Sequence, residues 1–411
     1  MKELLSFVSN MAKTLATNGA ETHRVEETVS YVVKHYTGKN GESIISPTTI
    51  ICGIEDQRAG IIKRIDKRSI NLTRVNMTIS LSRQIIEDNL SLAEAKAKLD
   101  EINKMPNYSI KSLTLVAATG CASFAFLLGG GFLEAIFAFI ISFFTRIILM
   151  ALGKKDSNIF FMTMIGGIFT SIAAILISSI IHINTDILII AAIMILVPGV
   201  PLTSAFRDIL EGHYIAGNSR LMEALFIAFC LAIGVFVPLN IFYISGFNTN
   251  IPLIQLNINY NFFQMIILPA TRLAPPQVVA ALASSMCFAY IFGAPKKELI
   301  LAGLTSSFGW LILELFGMIF LSAAAVSILS LFFSKKRKVI GSIYLIAGII
   351  PYVPGAGIYR TMLYLVANET GYATAAGLET FAAAGSIALG IMVVYSIFNL
   401  IKRDTINSQL K

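Results

Sequence analysis

The sequence predicts a polytopic α-helical membrane protein with about ten transmembrane helices, arranged as two inverted five-helix repeats with broken helices, plus a small cytoplasmic α+β domain. The 411 residues are 55% hydrophobic and only 14% charged, with a mean hydropathy of +0.74, which is too apolar for a soluble protein. The charges concentrate at one end, because residues 1–111 hold 16 of the 32 Lys and Arg and 13 of the 24 Asp and Glu. Two Pro-Gly pairs interrupt apolar runs, at Pro198-Gly199 and Pro354-Gly355.

These patterns predict four regions. A cytoplasmic α+β domain covers 1–110, a first membrane half 111–245, an outer linker 246–274 and a second membrane half 275–411. Lys13 interrupts the first apolar stretch and charged sequence follows it, so we expect no signal peptide and a first domain that stays in the cytoplasm.

Helical spacing of apolar residues predicts helices in the first domain over 3–17 and 20–36, and Asn18-Gly19 is typical of a helix end between them. The Ile- and Thr-rich segments 43–56 and 59–66 predict strands. Residues 70–86 and 91–104 return to a helical pattern, and Ser91 with Glu94 predicts a capping box.

Metal and nucleic-acid chemistry find no support in the sequence. The four cysteines and four histidines are scattered, without HxxxH or CxxC spacing, so we expect no metal site and no cofactor. No basic stretch alternates with aromatic residues, which disfavours a nucleic-acid partner. The expected partners are the lipid bilayer and a small-molecule substrate, and the sequence leaves homo-oligomerisation open.

Ten apolar segments predict the membrane spans. They cover 112–130, 132–153, 159–181, 186–206 (broken), 222–245, 275–293, 297–315, 317–334, 339–361 (broken) and 378–400. With the first domain inside, the inner connections carry 13 Lys and Arg, the outer ones only Arg272 and Arg360, and Arg146 lies within a span. This asymmetry predicts that both termini are cytoplasmic.

The two membrane halves resemble each other. Residues 124–136 match 288–300 at an offset of 164, which pairs Gly129 with Gly293 and Glu134 with Glu298. The later offset of 156 pairs the two Pro-Gly motifs and also Glu223 with Glu379, Ala232 with Ala388, and Gly234 with Gly390. Because each half has five spans, the second half would enter the membrane from the opposite side, as in many secondary transporters.

The interrupted helices are the candidate substrate site. Proline removes a backbone donor and clashes with the preceding turn, and broken backbone at membrane depth is tolerated only in protein or beside a water-filled cavity. A half-helix N-terminus suits a carboxylate, and the freed carbonyls suit an ammonium group. The alternative is that each Pro-Gly pair merely ends a short helix in a loop.

Three groups of residues are candidates for function. The proposed substrate-binding residues are Pro198, Gly199, Pro201, Thr203, Arg207, Arg220, Pro354, Gly355, Tyr359 and Arg360. Ionisable groups at membrane depth are functional candidates, and the proton-coupling candidates are Asp208, Glu223 and Glu379, although both glutamates could instead cap helices. In the first domain the motif NGAETHRVEETV contributes Glu21, Arg24 and Glu26, which could equally be the polar start of a helix.

Several motifs resemble the bacterial threonine/serine exporter family in its fused form. They are NGAETHRVEETV, SPTTII, LSLAEAKAKLDEI, LVPGVPLTSAFRDILEGHYIAG, RLMEA, FAYIFGAP and IIPYVPGAGIYRTMLYL. The resemblance covers nearly the whole chain except 244–274. It implies a non-enzymatic, proton-driven exporter of small hydroxy amino acids in the bacterial cytoplasmic membrane. The resemblance implies functional importance for the residues that match the family motifs, which are Pro198, Gly199, Pro201, Asp208, Gly212, Arg220, Glu223, Pro354, Gly355, Tyr359 and Glu379. It also draws attention to Glu21, Arg24 and Glu26.

Two alternatives remain open. Two-component relatives are linked to succinate export, so the substrate could be a small dicarboxylate, with Arg220 and Arg360 as counter-charges. The chain could also be a membrane-anchored sensor or enzyme that acts through its first domain, although that domain has no GxSxG motif.

Overall fold

The computed structural model describes residues 2–57, 60–153, 158–245 and 275–409. Within them the chain packs as two compact units. The amino-terminal unit comprises Met1–Ser109, Asp208–Arg220 and Ile291–Lys297, and the helical unit comprises Ile110–Arg207, Leu221–Tyr290 and Glu298–Lys411. The predicted outer linker, 246–274, lies outside the described residues, which resume at Pro275.

Four helices and a three-stranded antiparallel sheet form most of the amino-terminal unit. Their bounds are α1 Lys2–Thr17, α2 Thr22–Thr37, β1 Gly41–Ile45, β2 Thr49–Ile54, β3 Gly60–Arg64, α3 Leu72–Glu87 and α4 Leu92–Lys104. The strands follow chain order, with Ile45 opposite Ile50 and Thr49 opposite Arg64. The strands lie in the two segments rich in Ile and Thr, where β-branched side chains favour extended backbone.

Local signals in this unit act as expected from the sequence. Gly19 has a φ of 87° after α1, a left-handed conformation that glycine adopts without a Cβ penalty. Ser91 and Glu94 form the reciprocal bonds of a capping box at the start of α4. The hydrogen bond from the Ser91 hydroxyl holds the pKa of the Glu94 carboxyl below its usual range. Each fully buried side chain in this unit's core, such as Met11 or Leu15, stabilises the fold by about 1.5–3 kcal/mol.

The helical unit is built almost entirely of apolar helices. Their bounds are α5 Ile110–Leu127, α6 Phe132–Gly153, α7 Ile159–Ile180, α8 Thr185–Ile193, α9 Gly199–Leu210, α10 Tyr214–Ile244, α11 Pro275–Ile291, α12 Leu299–Phe316, α13 Ile319–Arg337, α14 Ser342–Ile349, α15 Gly355–Val366 and α16 Thr370–Gln409. The ends of α9, α10 and α11 extend into segments of the amino-terminal unit.

Seven helices in the described residues are long and apolar enough to cross a membrane. The pair α14 and α15, with a 3₁₀ turn at Ile350–Tyr352 between them, would make an eighth span that bends by 47°. α11 is apolar but shorter, and α8 and α9 are separated by the five residues Met194–Pro198. The chain is therefore a multi-pass helical membrane protein, whereas the ten-span inverted arrangement stays a prediction.

Both predicted interruptions occur. The first lies between α8 and α9, where the backbone N–H groups of Leu196 and Val197 donate to the carbonyl of Ile193 at 2.7 and 3.2 Å. The second lies between α14 and α15, where Val353 donates to the carbonyl of Ile349 at 3.0 Å. The two turns are closed by equivalent hydrogen bonds, since Ile193 and Ile349, and also Val197 and Val353, are 156 residues apart and occupy matched positions.

Pro201, one of the candidate substrate-binding residues, is the third residue of α9. A helix leaves the N–H groups of its first turn without intrahelical partners and tolerates proline there. The interruption lies at Met194 to Pro198.

Two short segments of the predicted membrane halves pack with the amino-terminal unit. In the 291–297 segment, the backbone N–H groups of Leu72 and Thr73 donate to the carbonyls of Phe292 and Gly293 at 2.8 and 3.0 Å. The Tyr108 hydroxyl donates to the carbonyl of Ala294 at 2.6 Å. The first N–H groups of α3 have no partner within their own helix, so this turn satisfies them.

Residues that match between the halves contact each other inside the helical unit. The rings of Phe124 and Phe288, which are 164 residues apart, meet edge to face at 5.7 Å. One buried apolar cluster contains both Leu202 and Ile358 and both Ala228 and Ala384, and the members of each pair are 156 residues apart. Equivalent residues of two copies contact each other when a two-fold axis relates the copies, as in an isologous interface.

The matched glutamates also occupy corresponding places. Glu134 accepts hydrogen bonds from the backbone N–H groups of Gly131, at 2.9 Å, and of Asn184, the N-cap of α8, at 3.1 Å. Glu298 accepts hydrogen bonds from Arg337 and from the hydroxyl of Tyr344, in the first turn of α14. Each glutamate therefore holds the start of an interrupted helix.

Gly234 and Gly390 also occupy matched positions, where helices pack backbone to backbone. A Cβ atom on Gly390 would lie 2.6 Å from the carbonyl oxygen of Phe320, and one on Gly234 would collide with the carbonyl oxygen of Met164. Small residues allow membrane helices to approach this closely.

We expect Gly234→Ala and Gly390→Ala each to destabilise the protein by about 1–3 kcal/mol, because the added methyl group overpacks a helix contact. Thermal unfolding of the purified protein in detergent measures the effect. Gly371→Ala is the matched control, since nothing lies within 4 Å of a Cβ atom there. Equal stability of all three variants would show that these contacts are looser than described.

Candidate functional site

The two interruptions meet inside the helical unit. A Cβ atom on Gly199 would lie 3.3 Å from Cα and 3.4 Å from the backbone nitrogen of Gly355. A Cβ atom on Gly355 would in turn lie 2.9 Å from Cγ1 of Val197. Glycine is needed at both positions because any side chain would separate the two backbone segments. Pro198 and Pro354 come directly before these glycines and end the intervening turns.

The first residues of the following helices are consequently close together. α9 and α15 both begin at the contacting glycines, and the N-cap of α15, Pro354, makes no side-chain hydrogen bond to the first turn. The dipole of a helix places partial positive charge at its N-terminus. The hydroxyl of buried Thr203 bonds within its own helix, to the carbonyl of Val200 at 3.0 Å. Thr203 therefore faces its own first turn in this conformation.

Arg207 lies one turn beyond Thr203 and is buried. Its guanidinium carbon lies 5.5 Å from the ring centroid of Tyr395 on α16, which is within the range of a cation–π interaction. Arg207 is thus held against the second half of the helical unit.

A second polar group lies on α15 and α16. Tyr359 is 3% exposed and the half-buried Arg360 is within electrostatic range of half-buried Glu379. Asp186, at the start of α8, is also within electrostatic range of Arg360 and Tyr359. We call Asp186, Tyr359, Arg360, Tyr364 and Glu379 the Arg360 cluster. Glu223, the sequence match of Glu379, is half-buried on α10.

The remaining candidates come together in the amino-terminal unit. The start of α2 and the 208–220 segment, almost 190 residues apart in the chain, form a network of charged side chains and two histidines. Arg24 Nε donates to Glu21 Oε2 at 2.6 Å. Nδ1 of His23 lies 3.0 Å from Glu211 Oε2, and Nδ1 of His213 lies 3.6 Å from Glu26 Oε2.

Arg220 closes the same network. Its Nη1 lies 2.9 Å from Oδ2 of Asp208, which is 3% exposed, and its Nη2 donates to Oγ1 of Thr22 at 3.5 Å. Burial raises the pKa of the Glu26 carboxyl above its usual range, and the nearby His213 opposes that increase. Asp208 and Arg220 are therefore partners in the amino-terminal unit and not a separate pair at the Pro-Gly contact.

A glycine makes this arrangement possible. Gly212, between Glu211 and His213, has a φ of 89°, a conformation that side chains other than glycine rarely adopt. The backbone N–H of His213 then bonds back to the carbonyl of Asp208 at 2.8 Å, which closes the end of α9.

Sequence reasoning did not single out His23, Glu211, His213, Asp186 or Tyr364 as candidates. The histidines were treated as dispersed. One signal was present, because Glu21-Thr22-His23 and Glu211-Gly212-His213 share the spacing Glu-x-His within two motifs of the family resemblance. No comparable pattern marks Asp186.

Among the described residues, no group of three or more His, Cys, Asp or Glu side chains is arranged to hold a metal ion. Cys52, Cys121, Cys230 and Cys287 are all free thiols. Burial raises the pKa of the Cys52 thiol, in the amino-terminal unit, to about 11, so it is a weak nucleophile near neutral pH.

Comparison with known proteins identifies relatives along most of the chain. Residues 6–242 match the family model ThrE, described as "Putative threonine/serine exporter", and residues 277–397 match ThrE_2, described as "Threonine/Serine exporter, ThrE". No solved structure matches the chain.

Three relatives carry descriptive names. A "Probable threonine/serine exporter" of Mycobacterium tuberculosis is 24% identical over 97% of this chain and 76% of its own length. A "Threonine/serine exporter" of Corynebacterium glutamicum is 25% identical over 80% of this chain and 68% of its own length. The "Probable succinate transporter subunit YjjP" of Escherichia coli is 26% identical over 56% of this chain and 92% of its own length. The first family model alone covers more than half of the residues, and the chain belongs to the threonine/serine exporter family.

Proposed function

We propose that this protein is a secondary active exporter of small hydroxy amino acids, threonine and serine, and that it is driven by protons across a bacterial cytoplasmic membrane. The single observation that carries this proposal is the contact between Gly199 and Gly355, where two matched interruptions of apolar helices meet. The names of the relatives supply the substrate class.

The geometry at the two glycines suits a zwitterion. α9 and α15 begin at the contacting glycines, so the partial positive ends of two helix dipoles lie close together, which favours a carboxylate. The turns at 194–198 and 350–354 leave carbonyl groups that favour an ammonium group. Transporters with interrupted helices bind substrate in this way near the middle of the bilayer.

Contacts between matched residues support an inverted repeat. Phe124 with Phe288 and Gly199 with Gly355 are contacts between matched residues, and Leu202 and Ile358 share one buried cluster, as expected if a two-fold axis relates the halves. With five spans per half, this axis would lie in the membrane plane. Rocking of one half against the other about these contacts would then expose the site alternately to the two sides.

Proton coupling is assigned to carboxylates of the helical unit. Glu379 is half-buried beside Arg360, and Glu223 is its counterpart in the first half. Ionisable groups within membrane-spanning helices are candidates for ion and proton pathways. Asp208 is the weaker candidate, because Arg220 already neutralises it at 2.9 Å.

A dicarboxylate exporter is the second candidate. It is favoured by the similarity to the Escherichia coli relative named as a succinate transporter subunit and by the half-buried position of Arg360. That relative matches a little over half of this chain, whereas the relatives named for threonine and serine match 80% and 97% of it. The amino-acid assignment therefore has the broader support.

Counterflow in proteoliposomes tests the substrate assignment. Vesicles loaded with unlabelled threonine should accumulate labelled threonine and serine at least about tenfold faster than labelled succinate, a difference of ~1.4 kcal/mol in transition-state free energy. Vesicles without protein provide the background. Accumulation of succinate without threonine or serine would replace this proposal with the dicarboxylate one.

Glu223→Gln and Glu379→Gln test the coupling assignment. Each change should reduce threonine efflux driven by a pH gradient by about 5–150-fold, the usual range for coupled ligands, while counterflow without a gradient is largely retained. Glu87→Gln, at the end of α3 in the amino-terminal unit, is a control that removes an exposed carboxylate. Normal gradient-driven efflux by both variants would refute this assignment.

The pair formed by Asp208 and Arg220 can be separated from coupling by a double-mutant cycle. Asp208→Asn should lower stability by about 1–3 kcal/mol because it leaves a partly buried guanidinium without its carboxylate. Adding Arg220→Gln should recover most of that loss in thermal unfolding and restore gradient-driven efflux. Restored stability with efflux still uncoupled would instead identify Asp208 as a proton carrier.

A further inference from the structure

The Arg360 cluster contains buried polar atoms that the fold does not satisfy. Nε of Arg360 and the hydroxyl oxygen of Tyr364 are buried and have no hydrogen-bond partner among the described residues. Tyr364 is only 6% exposed, and its ring packs against Tyr372 with the centroids 5.7 Å apart. Leaving a buried donor unpaired is costly, especially when it belongs to a charged group. These atoms therefore point to a ligand of complementary chemistry.

Asp186 gives the cluster a second kind of recognition. The N-cap of α8 is Asn184, whose side chain accepts from the N–H groups of Asp186 and Ile187 at 3.1 and 3.2 Å. The Asp186 carboxylate is thus not needed to cap its own helix. It belongs to the first half of the helical unit and is within electrostatic range of Arg360, Tyr359 and Tyr364 in the second half.

We propose that, besides the site at the glycine contact, Arg360 and Asp186 form the two poles of a second zwitterion site that the transported amino acid occupies, in which Arg360 binds the α-carboxylate and Asp186 binds the α-ammonium group. The inference rests on the proposed amino-acid transport function and assigns its specificity to Asp186. The Tyr364 hydroxyl provides a further hydrogen bond to the solute.

The charges of the cluster make the selectivity strict. A guanidinium binds a carboxylate with two parallel hydrogen bonds, and an aspartate accepts from an ammonium group. A dicarboxylate would satisfy Arg360 equally well, but its second carboxylate would face Asp186 and Glu379. Juxtaposed like charges act against such a ligand, as specificity often requires. Asp186 therefore selects an ammonium-bearing solute over a dicarboxylate.

The site also connects the halves. Asp186 begins α8, which leads to the first interruption, and Arg360 is in the second turn of α15, which begins at Gly355. A zwitterion held by both residues would link the two interrupted helices by charge at a place other than the glycine contact. Release of the solute would free the two elements from each other.

Analogues that lack one charge test the inference in the full-length protein. Threonine, 3-hydroxybutyrate, threoninamide and succinate would compete against labelled threonine in counterflow. In the unaltered protein, 3-hydroxybutyrate and threoninamide should each compete at least tenfold more weakly than threonine. Asp186→Asn should weaken threonine and threoninamide at least tenfold while leaving 3-hydroxybutyrate and succinate unchanged or stronger.

Arg360→Gln should give the opposite pattern, with threonine and 3-hydroxybutyrate weakened and threoninamide little changed. Asp186→Glu, which keeps the carboxylate, should recover much of the preference for threonine. Thermal unfolding of each variant verifies that it is folded. Equal weakening of all four competitors by Asp186→Asn in a folded variant would overturn the inference, as would unchanged competition.

The outcomes separate this inference from the proposed function. If the unaltered protein exchanges succinate and not threonine, the proposed function fails and Asp186 cannot select an ammonium group. If it exchanges threonine but the Asp186→Asn variant retains its preference for threonine over 3-hydroxybutyrate, only the zwitterion site fails.

Discussion

The close approach of Gly199 and Gly355 is the constraint on which the helical unit depends. Each glycine follows a proline that ends a turn, and each turn leaves backbone groups outside regular helical bonding. Lipid offers such groups no hydrogen bonds, so they must be enclosed by protein or reached by water. Here each interrupted backbone covers the other, which is feasible only because neither glycine has a side chain. The glycine in each Pro-Gly motif is therefore required by the close position of the other motif.

This contact explains why matched residues recur in the surrounding packing. If two equivalent turns meet, the helices that begin there must also lie close together, and Leu202 and Ile358 belong to one buried apolar cluster. Gly234 and Gly390 allow α10 and α16 to approach neighbouring helices backbone to backbone. A change in one half consequently alters a surface shared with the other. Such an interface suits a transporter that alternates between two arrangements of its halves.

The sequence was sufficient for features that local chemistry decides. Proline and glycine specified both interruptions, apolar periodicity specified the helices, and Ser91 with Glu94 specified a cap. It was insufficient where partners are distant in the chain. Nothing local shows that His23 pairs with Glu211 or that Asp186 faces Arg360, since an acidic residue in a first helical turn is expected on dipole grounds alone. Pro201 illustrates the same limit, because its role depends on where the helix begins.

The paired motifs of the amino-terminal unit follow from the geometry of α9. This helix has 12 residues and spans about 18 Å. It begins at Gly199, its last turn contains Asp208, and Glu211 and His213 follow it in the chain. Glu211 lies 3.0 Å from His23 and His213 lies 3.6 Å from Glu26, both at the start of α2, whereas Asp208 pairs with Arg220 of its own segment. The two Glu-x-His segments therefore pack together within the amino-terminal unit.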